Sequence, residues 1–193
     1  INVTGPTGNF GNIFAAFLAK QMGLPINRLV CASNRNNILT DFLETGTYDR
    51  NREFYTTMSP SMDILISSNL ERLLYTLGGS ELTSRLMKQL STDGKYTIPA
   101  DLKQAIDAHF TGLYCDEANT SLEIKRTFCD DGYLVDTHTA VGLNCAKQYI
   151  ERNHDGLKML VASTASPYKF ASDVYKSITG SQPADELTAL DQL

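Results

Sequence analysis

Residues 5–12 read Gly-Pro-Thr-Gly-Asn-Phe-Gly-Asn, with three glycines and two asparagines directly ahead of an apolar stretch. Glycine at positions 8 and 11 lets the backbone take positive φ and approach a ligand closely. The amides that follow would point out of the start of a helix, where the dipole favours an anion. The segment therefore suits a phosphate held by backbone N–H groups with little formal positive charge nearby. It matches neither nucleotide pattern. No Gly-Lys-Ser/Thr follows, and the glycines run GxxGxxG where a dinucleotide loop has GxGxxG. A glycine-rich turn that only joins strand to helix is the plain alternative.

Other polar residues gather in three more places. Asn34, Asn36 and Asn37 follow an apolar run at 28–33. Ser59, Ser61, Asp63, Ser68, Asn69 and Arg72 punctuate "SPSMDILISSNLER". Ser163 and Thr164 end a second apolar run at 157–164, and Ser166 and Lys169 follow it. Capping and turn formation account for most such residues. Arg72 lies on a helix whose Leu70, Leu73, Leu74 and Leu77 form the buried stripe, so it reads as a salt-bridge residue. His138, in "DTHTA", is the histidine in the most polar, loop-like setting, whereas His109 and His154 read as packing or surface residues.

The elements that must position these groups alternate. Residues 1–4 form a candidate strand. Ile13, Phe14, Phe17, Leu18 and Met22 recur at helical spacing and end at Gly23-Leu24-Pro25. A strand over 28–33 precedes a short helix over 38–43 with Asn37 as N-cap, and 46–61 reads as loop. An amphipathic helix capped by Ser68 or Asn69 breaks at Gly78-Gly79, and another spans about 81–91. Pro99 opens the next helix at its first turn. A strand within 109–116, helices over 117–130 and from 137, a strand over 157–164 and a helix over 168–178 complete the pattern. The run at 157–164 looks like the clearest buried strand of all. Alternating strands and helices predict an α/β domain with a mostly parallel sheet flanked by helices. Ligands of such sheets sit beyond the carboxyl ends of the strands, so the loops at 5–12, 33–37 and 163–169 fall on one face.

The bulk composition sets limits. At 193 residues, 42 % hydrophobic and 20 % charged, the chain has an ordinary globular balance. A net charge of −5 with scattered Lys and Arg argues against a nucleic-acid partner. No apolar run approaches the roughly 20 residues that cross a membrane, and no signal peptide pattern is present. Cys31, Cys115, Cys129 and Cys145 form no CxxC pair and lack a histidine at metal-ligand spacing. They read as buried thiols in a reducing, cytoplasmic setting without metal. The opening Ile1-Asn2-Val3 and the uncapped helical pattern at the end are expected of a piece cut from a longer protein.

"PTGNFGN" followed by an apolar helix, then "GLP", "CASNRNNILTDF", "SPSMDILISSNLERLL" and "ASTASPYKF", in that order, resembles the threonine synthase family over residues 4 to about 175. That family belongs to the fold type II pyridoxal-phosphate (PLP) enzymes, alongside tryptophan synthase β. The resemblance implies that residues 1–180 are the C-terminal part of the large domain, with 181–193 a truncated tail. It implies that the amides of Gly8, Asn9, Phe10, Gly11 and Asn12 cradle the cofactor phosphate. A hydroxyl, from Thr164 rather than Ser163, would meet the pyridine nitrogen. "DTHTAVG" is similar to the family phrase D-P-H-T-A, with Asp136, His138 and Thr139 in the matching places. Asn34, Asn37, Ser61, His138 and Lys169 become candidates to line the site. Ser166 stands where the family usually has His, and Lys169 is retained, either facing an anion at the site mouth or simply solvated.

The Schiff-base lysine of the family lies upstream in an F-K-D phrase, and none of the nine lysines here does. The implied activity, conversion of O-phospho-L-homoserine and water to L-threonine and phosphate, is thus expected of an intact enzyme and not of this chain alone. A threonine dehydratase-like lyase and a catalytically dead homologue serving as a binding module are the alternatives.

Overall fold

The computed structural model describes residues 1–193. Strand β1 (Asn2–Pro6) leads through a short turn into helix α1 (Gly11–Gln21), and β2 (Leu29–Ser33) returns alongside. Helix α2 (Ile38–Thr45) is followed by β3 (Thr47–Asp49), the long α3 (Leu70–Asp93) and β4 (Lys95–Thr97). Then come α4 (Ala100–Asp107), β5 (Phe110–Tyr114), α5 (Glu117–Asp131), α6 (Thr137–Asn153), β6 (Met159–Val161), α7 (Ala171–Thr179) and α8 (Glu186–Gln192). Four strands form one parallel sheet in the order β5-β2-β1-β6, and β3 pairs antiparallel with β4 in a separate ribbon.

Every residue of β1 and of β2 is buried, as a parallel sheet covered on both faces requires. The period of two is visible in where the side chains go. Leu29 and Cys31 join the main core of Phe10, Phe14, Phe17, Phe42 and the leucines of α3. Val30 and Ala32 turn to the opposite face and pack with Val141, Cys145 and Tyr149 of α6. The expected α/β sandwich is therefore the architecture found.

Two local expectations change. The 157–164 run yields only a three-residue strand at the sheet edge, with Leu160 58 % exposed. Its apolar composition states what a strand can bury, and an edge position removes one neighbour. The ribbon of β3 and β4 was hidden in expected loop because each strand is three residues long and its partner lies some fifty residues away. Stacking of Tyr48 on Tyr96, with centroids 5.4 Å apart and rings 5° from parallel, holds it. The expected break at Gly78-Gly79 is present: Gly79, at φ 78°, ψ 173°, leaves the helical path and divides α3 into two helical segments.

Of the cysteines, Cys31, Cys115 and Cys145 are buried, but Cys129 is exposed on α5 and corrects the reading that all four are interior. Burial pushes the Cys115 thiol up to about 12, and raises those of Cys31 and Cys145 as well. No helix is long and apolar enough to cross a membrane.

Candidate functional site

The carboxyl ends of β1 and β6 open onto a cleft of about 220 Å³. Its lining includes Thr7, Gly8, Asn9 and Asn12 from the glycine loop, Ser61 and Met62 from a 3₁₀ turn, His138, and Thr164, Ala165 and Lys169. A depression of about 510 Å³ runs along β5 past Arg28 and Lys103, but it touches none of the candidate loops. The smaller cleft holds the convergent polar groups and is therefore the candidate site.

The glycine loop works differently from the sequence expectation. Neither Gly8 nor Gly11 has positive φ; the left-handed residue is Phe10, at φ 59°. Its ring is fully buried, 5.4 Å from that of Phe110, and this packing offsets a left-handed cost of about 1–2 kcal/mol. Gly8 is needed for space. A Cβ there would lie 2.8 Å from Met62 Cα and 2.9 Å from Met62 O, so the loop rests backbone to backbone on the 3₁₀ turn Pro60–Met62.

Phe10 occupies the N-cap position of α1 and supplies no side-chain cap. The amide of Thr7 bonds to Ala32 O and that of Phe14 to Phe10 O, whereas the amides of residues 8–13 have no acceptor in the chain. Those of Gly11, Asn12 and Ile13 are orphan donors of a helix start, which a side chain would ordinarily close, and of residues 8–13 it is Gly8, Asn9 and Asn12 that line the cleft. The asparagines of the loop brace it. Asn12 Nδ2 donates to Pro6 O at 2.8 Å, leaving its buried Oδ1 without a partner. Asn9 Oδ1 accepts from Ser68 Oγ at 2.9 Å, tying the loop to the start of α3.

Ser61 stands on a turn fixed by Asp63. That carboxylate accepts from Asn34 Nδ2 at 2.8 Å, Asn36 Nδ2 at 2.9 Å and Thr57 Oγ1 at 2.7 Å. Asn34 is fully buried in this network behind the cleft wall, so its amide is committed to the turn and does not line the cleft. Asn37 lies elsewhere, with Oδ1 accepting from Arg52 at 3.3 Å. Arg72 is exposed and makes no ion pair, contrary to its expected role.

His138 is not loop-borne. It is the second residue of α6, 3 % exposed, with its ring 4.7 Å from that of Phe170. Asp136 caps the helix, accepting from the His138 amide at 2.8 Å and the Thr139 amide at 3.2 Å. It also takes the Thr139 hydroxyl and lies 3.1 Å from His138 Nδ1. Burial pushes the Asp136 carboxyl up, but the bonds from the His138 ring, the Thr139 hydroxyl and the two amides outweigh it and hold the group below its ordinary value.

A depressed folded-state pKa gives stability that is complete above the unfolded value near 4 and lost as pH falls through the folded one. Asp136→Asn is therefore expected to cost about 1–3 kcal/mol at pH 7, with the gap narrowing on acidification. Urea midpoints at pH 7 and pH 3 measure it; a constant gap contradicts this account.

On the last wall, Ser163 Oγ lies 3.2 Å from Thr139 Oγ1, while Thr164 itself lines the cleft. Lys169 is exposed at the mouth, its Nζ 5.7 Å from the Phe170 ring centroid. The structure thus gathers Gly8, Asn9, Asn12, Ser61, His138, Thr164 and Lys169. It places Phe10 in the core and Gly11 at the first position of α1, outside the lining. Met62 and Thr7 were missed; an apolar residue and a threonine carry no signal of their own, and only the missing Cβ of Gly8 points to Met62.

Residues 139–193 match the family model described as threonine synthase, C-terminal. Over 182 residues, 92 % of its length, the chain is 41 % identical to threonine synthase-like 1 of Macaca fascicularis, of which it covers 24 %. It is 37 % identical over 191 residues to threonine synthase of Saccharomyces cerevisiae, a match covering 91 % of this chain and 37 % of the yeast protein. The crystal structure of PLP-bound threonine synthase from Brucella melitensis aligns with the whole chain at a TM-score of 0.85 and 39 % identity, over 41 % of that structure. The chain spans between about a quarter and two fifths of the length of these proteins.

Proposed function

From a chain that is homologous to the threonine synthases along nearly its whole length, we propose that this molecule forms the phosphate-holding side of a PLP site in a threonine-forming enzyme. The observation that carries the reading is the run of acceptor-free amides over residues 8–13 at the uncapped start of α1. A phosphate monoester needs several donors converging from one side, and a helix start supplies them together with a favourable dipole. Thr164 offers a neutral hydroxyl on another wall of the same cleft, suited to a pyridine nitrogen that stays unprotonated.

PLP, when bound, supplies an electron sink for charge developing on an amino-acid substrate. The chain's own residues bind and orient. The amides of residues 8–12 hold the phosphate, Asn9 and Met62 fix the loop, and Thr164 sets the ring. Lys169 is the cation at the mouth, placed to meet a second anion such as the phosphate of O-phospho-L-homoserine. The overall reaction in this reading is O-phospho-L-homoserine plus water to L-threonine plus phosphate. Residues 1–180 belong to the large, cofactor-carrying domain and 181–193 to its tail. The amine that bonds the cofactor aldehyde lies outside these 193 residues, because no lysine here occupies the family's upstream F-K-D phrase.

Titration of the chain with PLP, followed by absorbance and competed with inorganic phosphate, tests the proposal. The expected result is weak, phosphate-competable binding, with no threonine formed when O-phospho-L-homoserine is added. Binding indifferent to phosphate would remove the cradle assignment. Threonine formation by this chain would overturn the placement of the missing amine.

A further inference from the structure

We infer that His138 is a positioning residue, locked by Asp136 as the Nδ1–H tautomer so that its Nε2 accepts the Ser61 amide and thereby sets the wall against which the phosphate loop rests. Three polar groups meet the ring nitrogens, and the Thr137 hydroxyl, 3.3 Å from Nδ1, can accept as well as donate, so the other two dictate the proton's place. Ser61 N lies 3.2 Å from Nε2 and can only donate, so Nε2 must carry a lone pair. An ionised Asp136 can only accept, so Nδ1, 3.1 Å away, must carry the hydrogen. Both conditions are met by one neutral ring, and that tautomer is assigned here from the network. Phe170 covers the ring face at a centroid distance of 4.7 Å, and the residue is 3 % exposed, so its orientation is fixed.

The consequence reaches the glycine loop through the backbone. Ser61 precedes Met62, whose Cα and carbonyl oxygen occupy the space a Gly8 Cβ would need. The far side of the same turn is fixed by Asp63 and its bonds to Asn34, Asn36 and Thr57. The turn is therefore pinned at both ends, by a carboxylate behind and an imidazole in front. Releasing the imidazole end moves Met62, and with it the seat of Gly8. His138 acts through Ser61 and need not touch the bound anion. The part of this inference that concerns phosphate affinity rests on the cofactor reading above; the tautomer and the Ser61 contact do not.

The test uses this chain, His138→Gln and His138→Phe. Glutamine places an acceptor oxygen near the position of Nε2, whereas phenylalanine keeps a ring against Phe170 and accepts nothing. Nitrogen NMR of the wild type should show Nδ1 protonated and Nε2 bare, and the Ser61 amide should be protected from hydrogen exchange. In His138→Phe, Ser61 exchange should accelerate at least tenfold and affinity for inorganic phosphate fall about five- to tenfold, the size of one lost hydrogen bond. His138→Gln should restore both to within about twofold. A wild-type ring protonated at Nε2, or an unprotected Ser61 amide, overturns the inference even if the phenylalanine variant does not fold. Equal phosphate affinity in wild type and His138→Phe, or failure of glutamine to rescue, overturns it too. A wild type that binds no phosphate refutes the cofactor reading instead, and the NMR and exchange results then decide the inference alone.

Discussion

Gly8→Ala is expected to cut phosphate affinity at least tenfold and to destabilise the chain by about 1–3 kcal/mol, the range for forcing extra atoms into a packed site. The added methyl would sit 2.8 Å from Met62 Cα and 2.9 Å from its carbonyl oxygen, and both are backbone atoms with no rotamer to yield. Loop and turn must separate, which opens the seat of the cradle. Gly11→Ala is the contrast. Its Cβ would meet nothing nearer than Asn69 Nδ2 at 3.5 Å, an ordinary contact, and its φ is not positive. There alanine should be neutral or stabilising by about 0.5–1 kcal/mol through its better helix propensity, with phosphate binding retained. Urea unfolding and phosphate titration of both variants check the pair. If the two alanines behave alike, close approach at Gly8 is not what the loop depends on.

Phe10 carries the largest expected cost to stability. Its ring is fully buried beside Phe110, so Phe10→Ala should remove about 3–5 kcal/mol. Phe10→Gly loses the same ring, yet it also relieves the left-handed backbone at φ 59°. Glycine should therefore be the milder replacement, by about 1 kcal/mol, even though it is the smaller residue. Denaturant midpoints for the two variants measure the difference. Phe10→Gly falling below Phe10→Ala would show that the backbone at this position is not strained. Both variants should weaken phosphate binding, because the ring is what holds the start of α1 in place.

Much of this was legible in the residues. The order of strands and helices, the common face of three loops and the convergence of Gly8, Ser61, His138 and Thr164 follow from periodicity, from topology and from the resemblance to threonine synthases. What escaped depended on partners distant in sequence. Positive φ was expected at glycine, because glycine takes it at no cost, yet the structure assigns it to Phe10, whose burial against Phe110 is invisible in a local window. Asn34 looked like a free amide after a strand until Asp63, 29 residues on, claimed it. The run around Leu160 promised a buried strand, but burial is a property of neighbours, and β6 has only β1 beside it. Cys129 sits on the outward face of α5 for the same reason: thiols favour interiors on average, and a helix face decides the single case.

The cradle proposed at the start of α1 would be made from a group that every residue except proline carries. Its chemistry cannot be deleted by exchanging one side chain for another, as a lysine or arginine clamp could be. Mutational load is therefore displaced from the contact surface to the residues that set its shape: Gly8 and Met62 where two backbones touch, Phe10 and Phe110 where the core grips the loop. Truncating Ser61 or Lys169 would leave the proposed amide contacts in place, while changes at Gly8, Met62, Phe10 or Phe110 would disturb them. Drift at the surface would leave a site of that kind largely intact, and its fragility would be that of the core.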